Sequence, residues 1–221
     1  MGVYRISGYD RALLELKGMA LSLAGLVREQ LAAALAAMER GDERADWHER
    51  DNGIDAARDR VVDRSLEMVS LQQPRQVDLR WILGYQRIAQ ELERIGDYAC
   101  DVAELGAHKP AQGWPPEIPA MAAQLLAFYD YAVAALDGKE EIAVDPNLQD
   151  DALDQAYLVL QRQVVMDGRA KTCTAELALA LILARTLERT GDHVVNVVET
   201  LYYIRSGKRH FDPADVSPPA K

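Results

Sequence analysis

The chain has 221 residues, 49% of them apolar, which is enough to bury a sizeable core and argues against intrinsic disorder. Its formal net charge of −10 argues against direct nucleic-acid binding, which needs a basic surface, and against docking on anionic lipid. Aromatic residues make up only 6% of the chain, and much of the apolar content is Ala, Leu and Val. This composition is typical of a helical bundle.

The cysteines and the N-terminal residues indicate the compartment. Cys100 and Cys173 lie in helix-like segments without CxxC spacing, which excludes a disulfide framework or a zinc ribbon. We expect both to be small buried apolar residues in a reducing compartment. The stretch from Met1 to Asp10 has no apolar signal core, and no apolar run approaches the roughly 20 residues of a membrane span. The sequence therefore predicts a cytoplasmic protein that does not insert into a membrane.

Apolar residues at three- and four-residue steps predict three helices in the first half of the chain. They run over about Gly8–Glu39, Asp42–Leu71 and Val77–Gly106. Gly41 is expected to separate the first two. Pro74 is expected to end the second, because proline cannot continue the helical hydrogen bonds.

A Pro- and Gly-rich segment, residues 108–116, is the strongest boundary in the sequence. Three further helices are predicted after it, over about Glu117–Leu136, Pro146–Met166 and Lys171–Ser206. Asp145 is placed to cap the fifth helix and Asp167-Gly168 to end it. The predicted organisation is a first repeat over residues 1–107, a linker over 108–116, a second repeat over 117–206 and a flexible tail over 207–221.

An internal repeat unites the two halves. Residues 92–104 read LERIGDYACDVAE, and residues 187–199, 95 positions later, read LERTGDHVVNVVE, with seven of thirteen positions identical. Upstream, Asp51 and Asp55 are matched by Asp150 and Asp154 at an offset of 99. The change of offset predicts a shorter second connection in the later half. The fold class that follows is all-α, with six long helices in two pseudo-symmetric three-helix bundles side by side.

The repeated blocks carry acidic residues on one helix face. Glu93 and Asp97 are one turn apart, and Asp101 lies about 40° further round. Like charges at this spacing destabilise a helix, so a counter-charge is needed. One candidate is arginine, although Arg94 and Arg189 point about 100° away and suit a neighbouring helix better. The other is a multivalent cation bound between carboxylates of two helices.

The two Leu-Glu-Arg-x-Gly-Asp blocks, together with Asp78-Leu79-Arg80 and the segment from Met19 to Leu35, resemble the PhoU family over about residues 5–206. The resemblance implies metal clusters on the acidic surface, with iron or zinc as the expected metal and manganese or magnesium as alternatives. Carried over by position, the implied ligands are Asp51, Asp55, Glu93, Asp97 and Asp101 in the first half, and Asp150, Asp154, Glu188, Asp192 and Asn196 in the second. Asn196 weakens the second set, because an amide is an uncharged ligand.

The resemblance also implies a function. PhoU-like proteins are negative regulators of phosphate uptake and of the phosphate-starvation response, and they contact the importer's ATPase subunit and a sensor histidine kinase. A homodimer is expected as well. Two alternatives stay open: a metal-free helical adaptor with an acidic partner-binding face, and a di-metal carboxylate enzyme. The enzyme is disfavoured because the Glu-x-x-His pairs of such sites are missing from the sequence.

Overall fold

The computed structural model describes residues 8–43, 46–72, 74–170 and 174–212, and in these ranges the chain is helical with no strand. The helices are α1 (Gly8–Arg40), α2 (Trp47–Gln72), α3 (Gln76–Gly106), α4 (Glu117–Asp137), α5 (Pro146–Ala170) and α6 (Ala175–Ser206). The predicted all-α fold class is confirmed. Cys173 lies outside the described residues, whereas Cys100 is buried as expected.

The six helices form two three-helix bundles side by side. Helices α1, α2 and α3 pack against one another, as do α4, α5 and α6, and the two bundles meet where α3 packs on α6 and α1 on α4. Buried apolar residues of both bundles form one continuous core. Helices α2 and α5 therefore lie on the outside of the molecule, each covering one face of its own bundle.

The two bundles match in detail. The buried positions of α1 recur in α4 at an offset of 98, so that all nine buried residues of α4 have a buried counterpart in α1. Between the bundles, Tyr98 of α3 and His193 of α6 are equivalent positions of the repeated blocks. Their rings lie against each other with centroids 5.5 Å apart. The bundles thus contact each other around a local pseudo-two-fold relation.

The start of α2 and the end of α5 differ from prediction, whereas the start of α5 agrees with it. Helix α2 begins at Trp47 rather than Asp42, because the polar segment after Gly41 has little to bury and Trp47 is the first residue to reach the core. Helix α5 continues through Asp167-Gly168 to Ala170, since a glycine costs a helix interior only about 1 kcal/mol. The predicted cap is confirmed: the Asp145 carboxylate accepts a hydrogen bond from the backbone N–H of Asn147, at 3.0 Å.

The change of offset has a different cause from the predicted one. Glu93 lies 17 residues after the start of α3, whereas Glu188 lies 13 residues after the start of α6. The later half therefore lacks the first turn of this helix, and its α5–α6 connection is not shorter. The tail also differs in part, because Phe211 packs on the core and the N–H of Asp212 donates to the Tyr202 hydroxyl at 3.0 Å.

Helices α1 and α4 are long and apolar enough to cross a membrane by length and composition alone. Both contribute many residues to the shared core, and the core helices of soluble proteins pass the same test.

The segment between the bundles is fastened to the end of α1, where the Trp114 indole N–H donates to the Met38 carbonyl at 3.0 Å.

Candidate functional site

The first acidic cluster consists of Asp51 and Asp55 on α2 and Glu93 and Asp97 on α3. Burial raises the pKa of Asp51, and the charges of Asp97 and Asp55 raise it further. Burial also raises the pKa of Glu93, again with a contribution from Asp97. Carboxylates of two helices are thus close enough to oppose one another's ionisation. The prediction that these two helices bring their acids together holds in this half.

A glycine and a glutamine shape the floor of this cluster. The side-chain amide of Gln30, buried on α1, donates to Asp51 Oδ1 at 3.2 Å and to the Gly96 carbonyl at 3.1 Å. A Cβ on Gly96 would lie 3.0 Å from Ile54 Cδ1 and 3.4 Å from Asp51 Oδ1. The glycine of the repeated block therefore lets α2 approach α3 closely.

Arg58 is the counter-charge of the first acidic cluster. Its guanidinium donates to Asp55 Oδ1 at 3.0 Å and lies 3.4 Å from Glu93 Oε1. This bridge was not predicted. Arg94, the predicted candidate, pairs with Asp97 of its own helix at 3.5 Å rather than with a neighbouring helix. The spacing of Asp55 and Arg58, three residues apart on a helix, was the available signal.

Asp101 lies at the exposed edge of the first acidic cluster. Its pKa is raised by partial burial and by the charges of Glu104 and Asp97. His48 also lies at this edge, with Nε2 3.4 Å from Glu104 Oε1. Burial raises the pKa of the nearby Cys100 thiol to about 12, with the surrounding carboxylates adding to the effect. The thiol is therefore a protonated packing group.

The second acidic cluster consists of Asp150 and Asp154 on α5 and Glu188 and Asp192 on α6. It is drier than the first, since Asp150 is only 6% exposed and Glu188 only 7%. Burial raises the pKa of Asp150 to about 7, with further increases from Asp154, Asp192 and Glu188. The pKa values of Glu188 and Asp192 are raised by burial and by neighbouring carboxylates too. The prediction that α5 and α6 bring these four acids together holds here as well.

Two buried oxygens of the second acidic cluster have no hydrogen-bond partner among the described residues: Asp150 Oδ1 and Glu188 Oε2. A Cβ on Gly191 would lie 2.4 Å from Asp150 Oδ1, so α5 and α6 are even closer than α2 and α3. At the offset of 98, Phe128 takes the place of Gln30. The second cluster thus lacks the amide donor that serves Asp51.

The counter-charge of the second acidic cluster comes from a different helix. Arg185 of α6 is hydrogen-bonded to Glu188, and its guanidinium lies over the Tyr157 ring at 5.4 Å. Tyr157 is the counterpart of Arg58 at the offset of 99. Arg189 reaches the neighbouring helix, as predicted, and lies 5.8 Å from the Tyr98 ring centroid.

The predicted ligand set needs one correction, at Asn196. Its side-chain amide donates to Glu91 Oε2 of α3 at 3.1 Å, so it serves the contact between the bundles. His193 Nδ1 lies 2.7 Å from the same oxygen. Glu91 is half-buried, and although burial opposes its ionisation, these hydrogen bonds give it a net lowered pKa. The structure therefore gives no support to Asn196 as a metal ligand.

The acidic clusters offer oxygen donors, but they are not closed metal cages. Among the described residues, no three His, Cys, Asp or Glu side chains are arranged to hold a metal ion as they stand. Arg58 and Arg185 occupy carboxylate oxygens that a cation would need. A cation would bind by displacing these arginines and by satisfying the unpaired oxygens of Asp150 and Glu188.

Comparison with known proteins adds to this geometry. The family model described as "PhoU domain" matches residues 20–106 and 118–201. The phosphate-specific transport system accessory protein PhoU homolog 1 of Thermotoga maritima is 31% identical over 208 residues, covering 90% of each chain. The chain belongs to the PhoU family. The PhoU accessory protein of Escherichia coli is 28% identical over 216 residues, covering 92% of this chain and 88% of that one.

Solved PhoU structures share the fold. The crystal structure of PhoU from Pseudomonas aeruginosa superposes with a TM-score of 0.81 at 24% identity, covering 90% of this chain and all of that one. The phosphate transport system regulatory protein PhoU from Streptococcus pneumoniae gives a TM-score of 0.77 at 21% identity, covering 90% and 98%. At these identities the likeness concerns the architecture of the PhoU family and not its chemistry.

Proposed function

We propose that this protein is a cytoplasmic accessory protein of phosphate transport that restrains phosphate uptake and the phosphate-starvation response. The observation that carries the proposal is the match of both bundles to the PhoU family, together with relatives named as accessory proteins of the phosphate-specific transport system. It acts through protein contacts, with the importer's ATPase subunit and a sensor histidine kinase as partners. It is a homodimer and not an enzyme.

The acidic clusters are the second part of the proposal. The ligands are Asp51, Asp55, Glu93, Asp97 and Asp101 in the first half and Asp150, Asp154, Glu188 and Asp192 in the second. A bound cation would neutralise carboxylates that now raise one another's pKa. These donors are all oxygens, which suits iron, manganese or magnesium better than zinc, because structural zinc sites favour thiolate and imidazole.

The partner contacts are tested by capture of purified importer ATPase subunit and sensor kinase on the immobilised protein. A starvation-response reporter in a strain lacking the protein gives the physiological test. We expect high reporter activity at high phosphate in this strain and repression on complementation. A reporter that stays repressed without the protein would refute the regulatory function.

Metal binding is tested by elemental analysis of protein purified without chelator. The double variant Asp97→Ala with Asp192→Ala removes one exposed or half-exposed ligand from each acidic cluster. We expect it to lose metal while keeping its helical content. If wild type and the double variant carry no metal, and iron, manganese and zinc leave the melting temperature unchanged, the metal-free adaptor is the better description.

A further inference from the structure

A basic cavity lies at the opposite end of α3 from the linker, and its nearest lining residue on α3, Arg87, comes six residues before Glu93 of the first acidic cluster. It has a volume of about 390 Å³ and lies between the start of α3 and the end of α6. Its charged lining residues are three arginines, Arg80, Arg87 and Arg209, and one carboxylate, Glu199, and His210 also lines it. A concentration of three guanidinium groups in a chain of net charge −10 is a marked departure from the overall charge. The volume falls within the range of about 300–1,000 Å³ that small-molecule sites occupy.

Two of the arginines share one aromatic ring. The guanidinium carbons of Arg80 and Arg209 lie 5.9 Å and 5.8 Å from the ring centroid of Tyr203. Among the described residues, no carboxylate lies within ion-pair distance of either group, and Arg80 Nε is buried without a hydrogen-bond partner. Both guanidinium groups are therefore available to bind an anion that enters the cavity.

The cavity is built on fixed elements. Gly207 ends α6 with φ 78°, and a Cβ there would lie 2.2 Å from Arg80 Nη1, so the guanidinium packs directly on the end of α6. The segment that carries Arg209 is anchored beyond it, because the Phe211 ring packs on Tyr202 with centroids 5.4 Å apart. A site that is ordered before binding loses less entropy when the ligand binds.

The helix dipole at the end of α6 does not by itself explain the arginines of the basic cavity. A cation at a helix C-terminus is stabilised by the helix dipole, and this accounts for the position of Arg80. It does not account for Arg87, which among the residues that the structure describes makes only one ion pair, a long contact of 3.9 Å to Glu91. The pseudo-equivalent cavity beside the start of α6 is lined by Glu176 and has no arginine among its lining residues.

We propose that this basic cavity binds a phosphoryl group. A guanidinium fork matches both carboxylate and phosphate, but a carboxylate offers two oxygens in one plane, whereas a phosphoryl dianion offers three oxygens in a tetrahedral arrangement to guanidinium groups that approach from different sides. Leu83 and Tyr203 give the cavity an apolar wall, so it also accommodates the organic part of a phosphate ester. The site is separate from the acidic clusters and goes beyond the regulatory function proposed above.

The test is isothermal titration calorimetry on the full chain at about 0.15 M salt, where the Debye length is about 8 Å. The probes are inorganic phosphate, pyrophosphate and AMP, with citrate as a carboxylate of comparable charge. We expect one equivalent of a phosphoryl probe to bind more tightly than citrate. Tightest binding of inorganic phosphate identifies the free ion as the ligand, and tightest binding of AMP identifies an ester.

Arg209→Gln is the decisive variant, because the side chain is exposed and lies beyond the last helix. We expect its affinity for the phosphoryl probe to fall at least about tenfold. Arg162→Gln makes the same charge change at an exposed residue of α5 that does not line the cavity, and it is expected to bind like wild type. Absence of binding to wild type, equal binding of citrate, or unchanged affinity in Arg209→Gln would each overturn the proposal.

Discussion

Replacing Asp150 with asparagine should stabilise the metal-free protein above neutral pH. Asp150 is 6% exposed, and its pKa rises to about 7 from 3.8, with burial as the main cause. Each pKa unit corresponds to about 1.4 kcal/mol, so ionising this carboxyl in the folded state costs at most about 4 kcal/mol. Because the folded protein holds this proton more tightly than the unfolded chain, the cost appears as pH rises from about 4 and is complete above about 7.

The amide of Asp150→Asn cannot ionise, and its N–H donors can bond to the remaining carboxylates. We therefore expect the free energy of unfolding to exceed that of wild type by about 1–3 kcal/mol at pH 8 and by much less at pH 5. Urea denaturation followed by circular dichroism, in the presence of chelator, measures both values. The matched control is Asp151→Asn, which removes the same charge from the neighbouring exposed residue.

The decisive observation is how the difference in the free energy of unfolding between Asp150→Asn and wild type changes with pH. A gain that is equal at pH 5 and pH 8, or an equal gain in Asp151→Asn, would show that net charge and not burial of Asp150 is responsible. A cation bound at the second acidic cluster should stabilise wild type more than Asp150→Asn, by about 2.7 kcal/mol at a hundredfold excess over the dissociation constant.

Three further perturbations test the packing. Gly191→Ala should lower the stability by about 1–3 kcal/mol, because its Cβ meets Asp150 Oδ1, whereas Gly53→Ala, on an open helix face, should raise it by about 0.4–1 kcal/mol. A thermal melt in which both alanines raise the melting temperature would contradict the close approach of α5 and α6. Glu91→Ala should cost about 1–3 kcal/mol at pH 7 by leaving two donors of α6 without an acceptor. Since the pKa of Glu91 is lowered on folding, this deficit should shrink as pH falls through that pKa, and a pH-independent deficit in urea melts would argue against the bond. Trp114→Phe should cost about 0.5–1.5 kcal/mol through loss of the bond to the Met38 carbonyl, and an unchanged urea midpoint would show that the bond contributes nothing.

Most of the fold could be predicted from the sequence, because local rules of apolar spacing and capping determine where the helices form. The three-and-four apolar spacing predicted all six helices, and the Asp145 cap appears as expected. The errors fall where a local signal is ambiguous: Gly168 was taken as a helix end, although a glycine inside a helix is tolerated. The missing turn of α6 was assigned to a connection because spacing alone does not separate a shorter helix from a shorter loop.

The candidate site was predictable only in part. Four acids in each half follow from helical spacing and the repeated blocks, since residues one turn apart share a face. The contact of Arg58 with Glu93 and that of Asn196 with Glu91 each join two helices, and sequence spacing does not show which helix faces pack against each other. The donor role of Gln30 was marked in the sequence by a polar residue within the apolar stripe of α1.

The continuous core across α3 and α6 has a consequence for a chain cut at the linker. Either fragment would present to water the apolar face that now packs on the other bundle. Because the two faces are related by the local pseudo-two-fold arrangement, each isolated fragment would carry a self-complementary surface. Two copies of one fragment would then cover each other much as the two bundles do, so a half-length version of this protein should exist as a symmetric pair.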